Sequence, residues 1–141
     1  MKKGESLNGA TTKVRGAFGE RAAEEYLLKK GYRTVARNLH ISRYEIDLIA
    51  ENKDFLVFVE VKSRTVPYLT PNGESPYQIT PAMAVNKEKQ RRILYAARLY
   101  LLKNPTKKQP RLDVVEIYLK EQNDSFDVLK IHHIENAFGV S

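Results

Sequence analysis

Apolar residues recur at three-to-four spacing across residues 14–30, at Phe18, Ala22, Tyr26 and Leu27 with Ala23 beside them, and Gly31 follows. That period predicts a helix with a glycine stop. The spacing then changes. Residues 32–38 have a short extended pattern and give way to a polar stretch. Residues 45–50 and 55–62 read as two strands, and residues 51–54 suit the hairpin turn between them. The second run begins FLVFVEV, almost wholly apolar, as expected of a strand covered on both faces.

Residues 65–80 carry Pro67, Pro71, Gly73 and Pro76 and show no period, so they read as a long loop. A helical turn is expected over 81–85. Asn86 suits the N-cap of a long helix reaching about Lys103, which Asn104-Pro105 ends. Residues 111–119 and 126–134 read as two further strands, with Asn123-Asp124 in their turn, and residues 135–138 close the fold. Residues 1–12 are polar, glycine-containing and aperiodic, and read as a mobile tail. The remainder, 13–141, reads as one nuclease-like domain. The element order is helix, three strands, helix, two strands. It predicts an α/β fold, a central mixed sheet flanked by helices, with an antiparallel hairpin at residues 45–62 and a helical crossover to a parallel neighbour.

Composition narrows the class. The apolar fraction of 42% suffices for a core. No apolar run reaches the roughly 18–20 residues that span a bilayer. Two lysines near the start have no apolar stretch behind them, which argues against a signal peptide. Cysteine is absent, so disulfides and thiolate metal sites are excluded, and a cytoplasmic setting is the simplest expectation. The net charge of +7 favours a polyanionic partner.

The informative stretch is YEIDLIAENKDFLVFVEVKSR, residues 44–64. A period of two puts Glu60 and Lys62 on one face of their strand, and the short turn lets Asp47 lie across from Glu60. Burying two carboxylates and an ammonium is costly unless they pair or bind a cation. The bland reading is a salt bridge on a hairpin. The chemical reading is a hard cation, Mg²⁺ or Mn²⁺, on two carboxylates, with a lysine to orient water or to meet charge on a phosphate. That equipment suits phosphodiester hydrolysis.

An aspartate in one strand and Glu-x-Lys in the next resembles the PD-(D/E)xK nuclease superfamily. From about Arg15 to Phe138 the chain also resembles the YraN-type, endonuclease-like family of bacteria. The matching pieces include Gly16, Gly19-Glu20, Arg37-Asn38, EIDLIA at 45–50, FVEVK at 58–62, KQRRI at 89–93, RLDVV at 111–115 and HIENAF at 133–138. Where that family usually has glycine before Glu45, this chain has Tyr44. The family is in turn similar to archaeal Holliday junction resolvases. The resemblance implies a restriction-endonuclease-like core, a metal-dependent endonuclease acting on DNA, and branched DNA as a substrate. It implies that Asp47 and Glu60 are metal ligands, Lys62 the catalytic lysine, and Glu20 an additional or outer-sphere ligand. It also implies that Gln90 faces the site from the long helix. Glu45 reads better as a strand-edge salt bridge.

Lys87, Lys89, Arg91, Arg92 and Arg98 on the long helix, with Arg37, Arg43 and Arg64 around the hairpin, suit contacts to a phosphate backbone as well as a solvated face. Tyr68 and Tyr77 in the loop are available for stacking on bases. His132 and His133 are adjacent on a strand, point to opposite faces and read as structural. No sequence-reading element such as a helix-turn-helix is evident, so recognition is expected to be of shape and backbone. Chemistry on two strands would call for a symmetric homodimer. The competing expectation is a non-catalytic nucleic-acid-binding module of DNA repair or RNA processing that retains the nuclease fold.

Overall fold

A computed structural model describes residues 11–74, 85–123 and 125–139. The first ten residues, Pro76, Tyr77, Asp124 and most of the turn expected over 81–85 lie outside them. Helix α1 spans Thr11–Lys29. It stops because Gly31 takes φ +95°, a conformation that needs no Cβ. There the Tyr32 N–H donates to Leu27 O and the Gly31 N–H to Leu28 O, which closes the helix with a Schellman pattern. Strands β1 (Arg33–Ile41), β2 (Tyr44–Glu51) and β3 (Phe55–Thr65) follow. Helix α2 (Lys87–Lys103) is N-capped by Asn86, whose side chain accepts from the Lys89 N–H. Strands β4 (Gln109–Gln122) and β5 (Ser125–Ile134) complete the order.

The five strands lie in sequence order. β1, β2 and β3 form an antiparallel meander, β4 runs parallel to β3 after the α2 crossover, and β5 returns antiparallel. This is the mixed, helix-flanked sheet expected from the sequence. One difference is β1, which continues through the polar stretch to Ile41. It is an edge strand, paired with β2 through Ile41↔Tyr44 by backbone groups, and its alternate residues Leu39 and Ile41 pack against the core on the α2 side.

Each face of the sheet is covered by a helix. Ala23 and Leu27 of α1 pack with Leu48, Ala50, Val57, Val59, Val115 and Ile117. Ile93, Ala96 and Ala97 of α2 pack with Ile46, Ile49, Leu56, Phe58 and Leu112. The even and odd positions of FLVFVEV therefore serve opposite cores, which explains why that run has so little polar character. No helix among the described residues is long and apolar enough to cross a membrane.

Helix α1 approaches β3 most closely at Gly19. A Cβ there would lie 1.7 Å from Ser63 Oγ and 3.0 Å from Ser63 Cβ. The Ser63 hydroxyl is buried with no hydrogen-bond partner among the described residues. Gly19→Ala is therefore expected to destabilise the fold by about 1–3 kcal/mol through overpacking. Adding Ser63→Ala should recover part of the loss by removing the nearest atom. Denaturant midpoints measure both, and an unchanged midpoint for Gly19→Ala would contradict the close approach.

Candidate active site

Asp47 and Glu60 stand where β2 and β3 diverge. Their ladder runs from Glu51↔Leu56 to Leu48↔Val59 and ends. Asp47 is the next residue, and its Oδ2 accepts from the Val61 N–H at 2.9 Å. A side chain thus takes over where strand pairing stops. The Asp47 carboxyl also lines one pocket with Glu60, close enough for the two to repel when both are ionised. Burial, followed by the charge of Glu60, raises Asp47 to about 7, against the downward pull of the Val61 N–H.

Glu60 is only 4% exposed and is met by Lys89 of α2, with Nζ 2.6 Å from Oε2. Burial disfavours the Lys89 ammonium, but Glu60 and Asp47 outweigh that effect and raise its pKa. Glu20 approaches from α1. Burial first, then Asp47, raise it, while a hydrogen bond from Asn38 opposes them. Two pockets share Asp47 as a wall. One, of about 220 Å³, is also lined by Arg43, Tyr44, Glu60, Lys89 and Arg92. The other, of about 160 Å³, is lined by Glu20, Arg21, Arg37 and Asn38.

The structure thus places Asp47 between the other two carboxylates, sharing one pocket with Glu60 and the other with Glu20. Lys62 follows Glu60 on the same face of β3, roughly 7 Å along the strand. It has no acidic partner among the described residues. Its register neighbour Glu116 is occupied by Arg64, Tyr118 and His132. Gln90 departs from expectation. Its Nε2 donates to Val85 O at 3.0 Å, and it lines a separate cavity beside Phe58, Leu94 and Ala97. The physical reason is helical phase: Lys89 takes the inward position, and the next residue is turned about 100° away. Glu45 meets His40 at 3.2 Å, a strand-edge contact.

The basic residues divide. Arg37 pairs with Glu24, Arg64 with Glu116, Arg92 with Glu88 and Lys89 with Glu60. Arg43, Lys87 and Arg91 are exposed and have no ion pair among the described residues. Tyr68 is 58% exposed. His132 and His133 enter separate networks, on Glu116 and Asp113 respectively.

Among the described residues, no group of three or more His, Asp and Glu is arranged to hold a metal. The donor set is a pair. Asp47 and Glu60 are hard oxygen donors whose charges repel across one pocket, and a divalent cation would relieve that repulsion. Mg²⁺ commonly takes one or two carboxylates and fills its remaining positions with water, so the pair fits such an ion. Glu20 would then act beyond the direct ligands.

The model of the Uncharacterised protein family UPF0102 matches residues 19–117, a span that contains Glu20, Asp47, Glu60 and Lys62. The chain belongs to the UPF0102 family. This is the YraN-type family that the sequence resembles. A UPF0102 protein of Clostridium acetobutylicum is 41% identical over 129 residues, covering 91% of this chain and 96% of that one. Relatives in Caldanaerobacter subterraneus subsp. tengcongensis (39% identical, 89% and 95% covered) and Symbiobacterium thermophilum (44%, 87% and 94%) also carry the UPF0102 designation. Among solved structures, that of Pyrococcus furiosus SfsA in complex with Ca²⁺ aligns with a TM-score of 0.29 and 13% identity, over 83% of this chain and 62% of that one. That likeness is too slight to inform the fold.

Two features of this UPF0102 chain escape sequence reading. Asn38, at φ +46°, supplies the hydrogen bond to Glu20. Lys89 reads in sequence as one of several helix-face cations, yet it is held on Glu60. A signal for the latter exists: the third helical position, where Lys89 lies, ordinarily favours Glu or Gln over a cation.

Proposed function

We propose that the protein is a metal-dependent nuclease that hydrolyses phosphodiester bonds in DNA, with Asp47 and Glu60 holding Mg²⁺ or Mn²⁺. The observation that supports this most strongly is the placing of the Asp47 and Glu60 carboxylates in one pocket at the divergence of β2 and β3. Structural ion pairs place opposite charges together, whereas this pair places like charges together, at a cost in stability that a cation would offset. When bound, the metal supplies neutralisation of charge on the phosphate. Lys62, without an acidic partner among the described residues, orients the attacking water or stabilises charge on the phosphate. Glu20, held by Asn38, shapes the second pocket. Arg43 and Arg92 line the first pocket and meet the backbone of the strand.

A second reading, a non-catalytic binding module of repair or processing complexes, draws on one observation: Glu60 is already neutralised by Lys89. One experiment separates the two. The purified protein is incubated with branched, single-stranded and duplex DNA and with RNA, in Mg²⁺ or Mn²⁺ and in EDTA. The nuclease reading expects metal-dependent cleavage of DNA, branched forms foremost. Binding without cleavage of any member of the panel would establish the module.

On the same substrates, affinity should fall steeply with salt. Changing Arg43, Lys87 and Arg91 together to Gln should reduce the log–log slope by up to about 2–3, from roughly 0.9 for each phosphate that is no longer neutralised. An unchanged slope would mean that these cations are only solvated.

A further inference from the structure

Lys89 is placed against the preference of its own helix. With Asn86 as N-cap, it is the third residue of α2, where the exposed backbone N–H groups already carry partial positive charge. A cation there is disfavoured by the helix, and its pairing with Glu60 supplies the compensation. The two partners differ in mobility. The Glu60 side chain is 4% exposed and fixed in the sheet, whereas the Lys89 side chain is 43% exposed. A long, flexible side chain with its stem at the surface can swing outward without unpacking the core. The pocket it lines also holds Arg43 and Arg92, so an outward-turned Lys89 joins two cations beside the carboxylates.

We propose that Lys89 is a built-in counter-cation of the carboxylate pair, displaced when a divalent metal binds and then free to contact a phosphate. The inference rests on the metal-site reading above and adds its regulation. Lys89 and the metal neutralise the same Glu60 oxygens, so they compete. The ion pair holds the metal-free site together, and loading of the metal adds a free positive charge to the cleft. Metal binding and nucleic-acid binding are thereby coupled, each favouring the other.

Calorimetric titration of Mg²⁺ and Mn²⁺ into the full chain tests this with wild type, Lys89→Met and Lys89→Arg. Loss of the competitor is expected to tighten metal binding by about tenfold in Lys89→Met, within the usual range of site–site coupling, and Lys89→Arg should bind no tighter than wild type. Thermal unfolding supplies a second readout. Lys89→Met should be less stable than wild type in EDTA, and saturating Mg²⁺ should close that gap. Equal or weaker metal binding by Lys89→Met, or a stability gap that Mg²⁺ leaves unchanged, overturns the displacement while leaving the metal site standing. No metal binding by wild type or by either variant overturns the metal site and the displacement together. If Lys89→Met does not fold in EDTA, Lys89→Gln takes its place in both measurements with the same expected outcomes.

Discussion

Asp47→Asn is expected to lower metal-dependent cleavage by on the order of a thousandfold, as removal of a group that stabilises charge in the transition state commonly does, and to leave nucleic-acid binding largely intact. Glu60→Gln should do the same. Both substitutions keep shape and remove a charged oxygen donor. The stability effect has the opposite sign. In the metal-free chain Asp47 holds its proton until about 7, whereas in the unfolded chain it loses it near the ordinary 3.8. Between those values the folded chain binds more protons, so stability falls as pH rises from about 4 to 7 and stays low above that window. The amide that replaces the carboxyl carries no such proton. At pH 8 in EDTA, Asp47→Asn should therefore unfold higher than wild type, by roughly 5 °C or more for a domain of this size, and the excess should shrink towards pH 4. Metal reverses the slope for wild type, because Mg²⁺ competes with the proton and binds better as pH rises through 7. Equal unfolding temperatures for the two proteins at pH 8 would contradict the raised Asp47.

The second large effect lies at Asp113, away from the carboxylate pair. Asp113 is fully buried. Its Oδ1 accepts from Arg111 Nε and the Asn136 N–H, both at 2.9 Å. Its Oδ2 lies 2.9 Å from Arg111 Nη2 and 2.7 Å from His133 Nε2. Since an ionised carboxylate only accepts, His133 donates through Nε2, and its Nδ1 meets the Tyr26 hydroxyl of α1 at 3.2 Å. Arg111 also donates to Tyr32 and lies over the Phe55 ring at 4.5 Å. Burial alone would raise Asp113, but the hydrogen bonds from His133 and Arg111 outweigh it and hold it below the usual carboxylate range. Asp113→Ala leaves a buried guanidinium and an imidazole without their acceptor. It is expected to cost about 3–5 kcal/mol, as breaking one side of a buried ion pair does. Chemical denaturation measures this. The lowered Asp113 contributes stability that is present above the ordinary 3.8 and lost as pH falls through its folded value, so the gap between wild type and Asp113→Ala should narrow in acid. A loss under about 1 kcal/mol would mean that Arg111 finds other partners or water.

Much of the fold is legible in the sequence because its signals are local. The three-to-four spacing of Phe18, Ala22 and Tyr26, the Asn86 cap and the Asn104-Pro105 stop fix the helices, and FLVFVEV announces a central strand. The length of β1 is not legible. In residues 38–41 only Leu39 and Ile41 are apolar, an alternation too short to announce a strand, and pairing with β2 together with the packing of those two side chains holds the stretch in place. The carboxylates of the site are legible for a related reason: Asp47 and Glu60 interrupt apolar strands, and the hairpin that joins them is short. Lys89 and Gln90 show the limit. Both are polar residues of the same helix turn, and which one faces Glu60 depends on a helical phase that only packing of Ile93 and Ala96 against the sheet sets. Likewise RLDVV and HIENAF are visible as pieces. That Arg111, Asp113, His133 and Asn136 form one network follows from the β4–β5 register, with Val115↔His133 and Val114↔Ile134, which no short stretch encodes.

Asp47 and Glu60 as a cation site are tested most directly by titration of Mn²⁺ or Mg²⁺ into the purified chain at pH 8. Saturable binding is predicted for wild type, abolished in Asp47→Asn and in Glu60→Gln. Absence of binding to wild type, both alone and with branched DNA present, would contradict it.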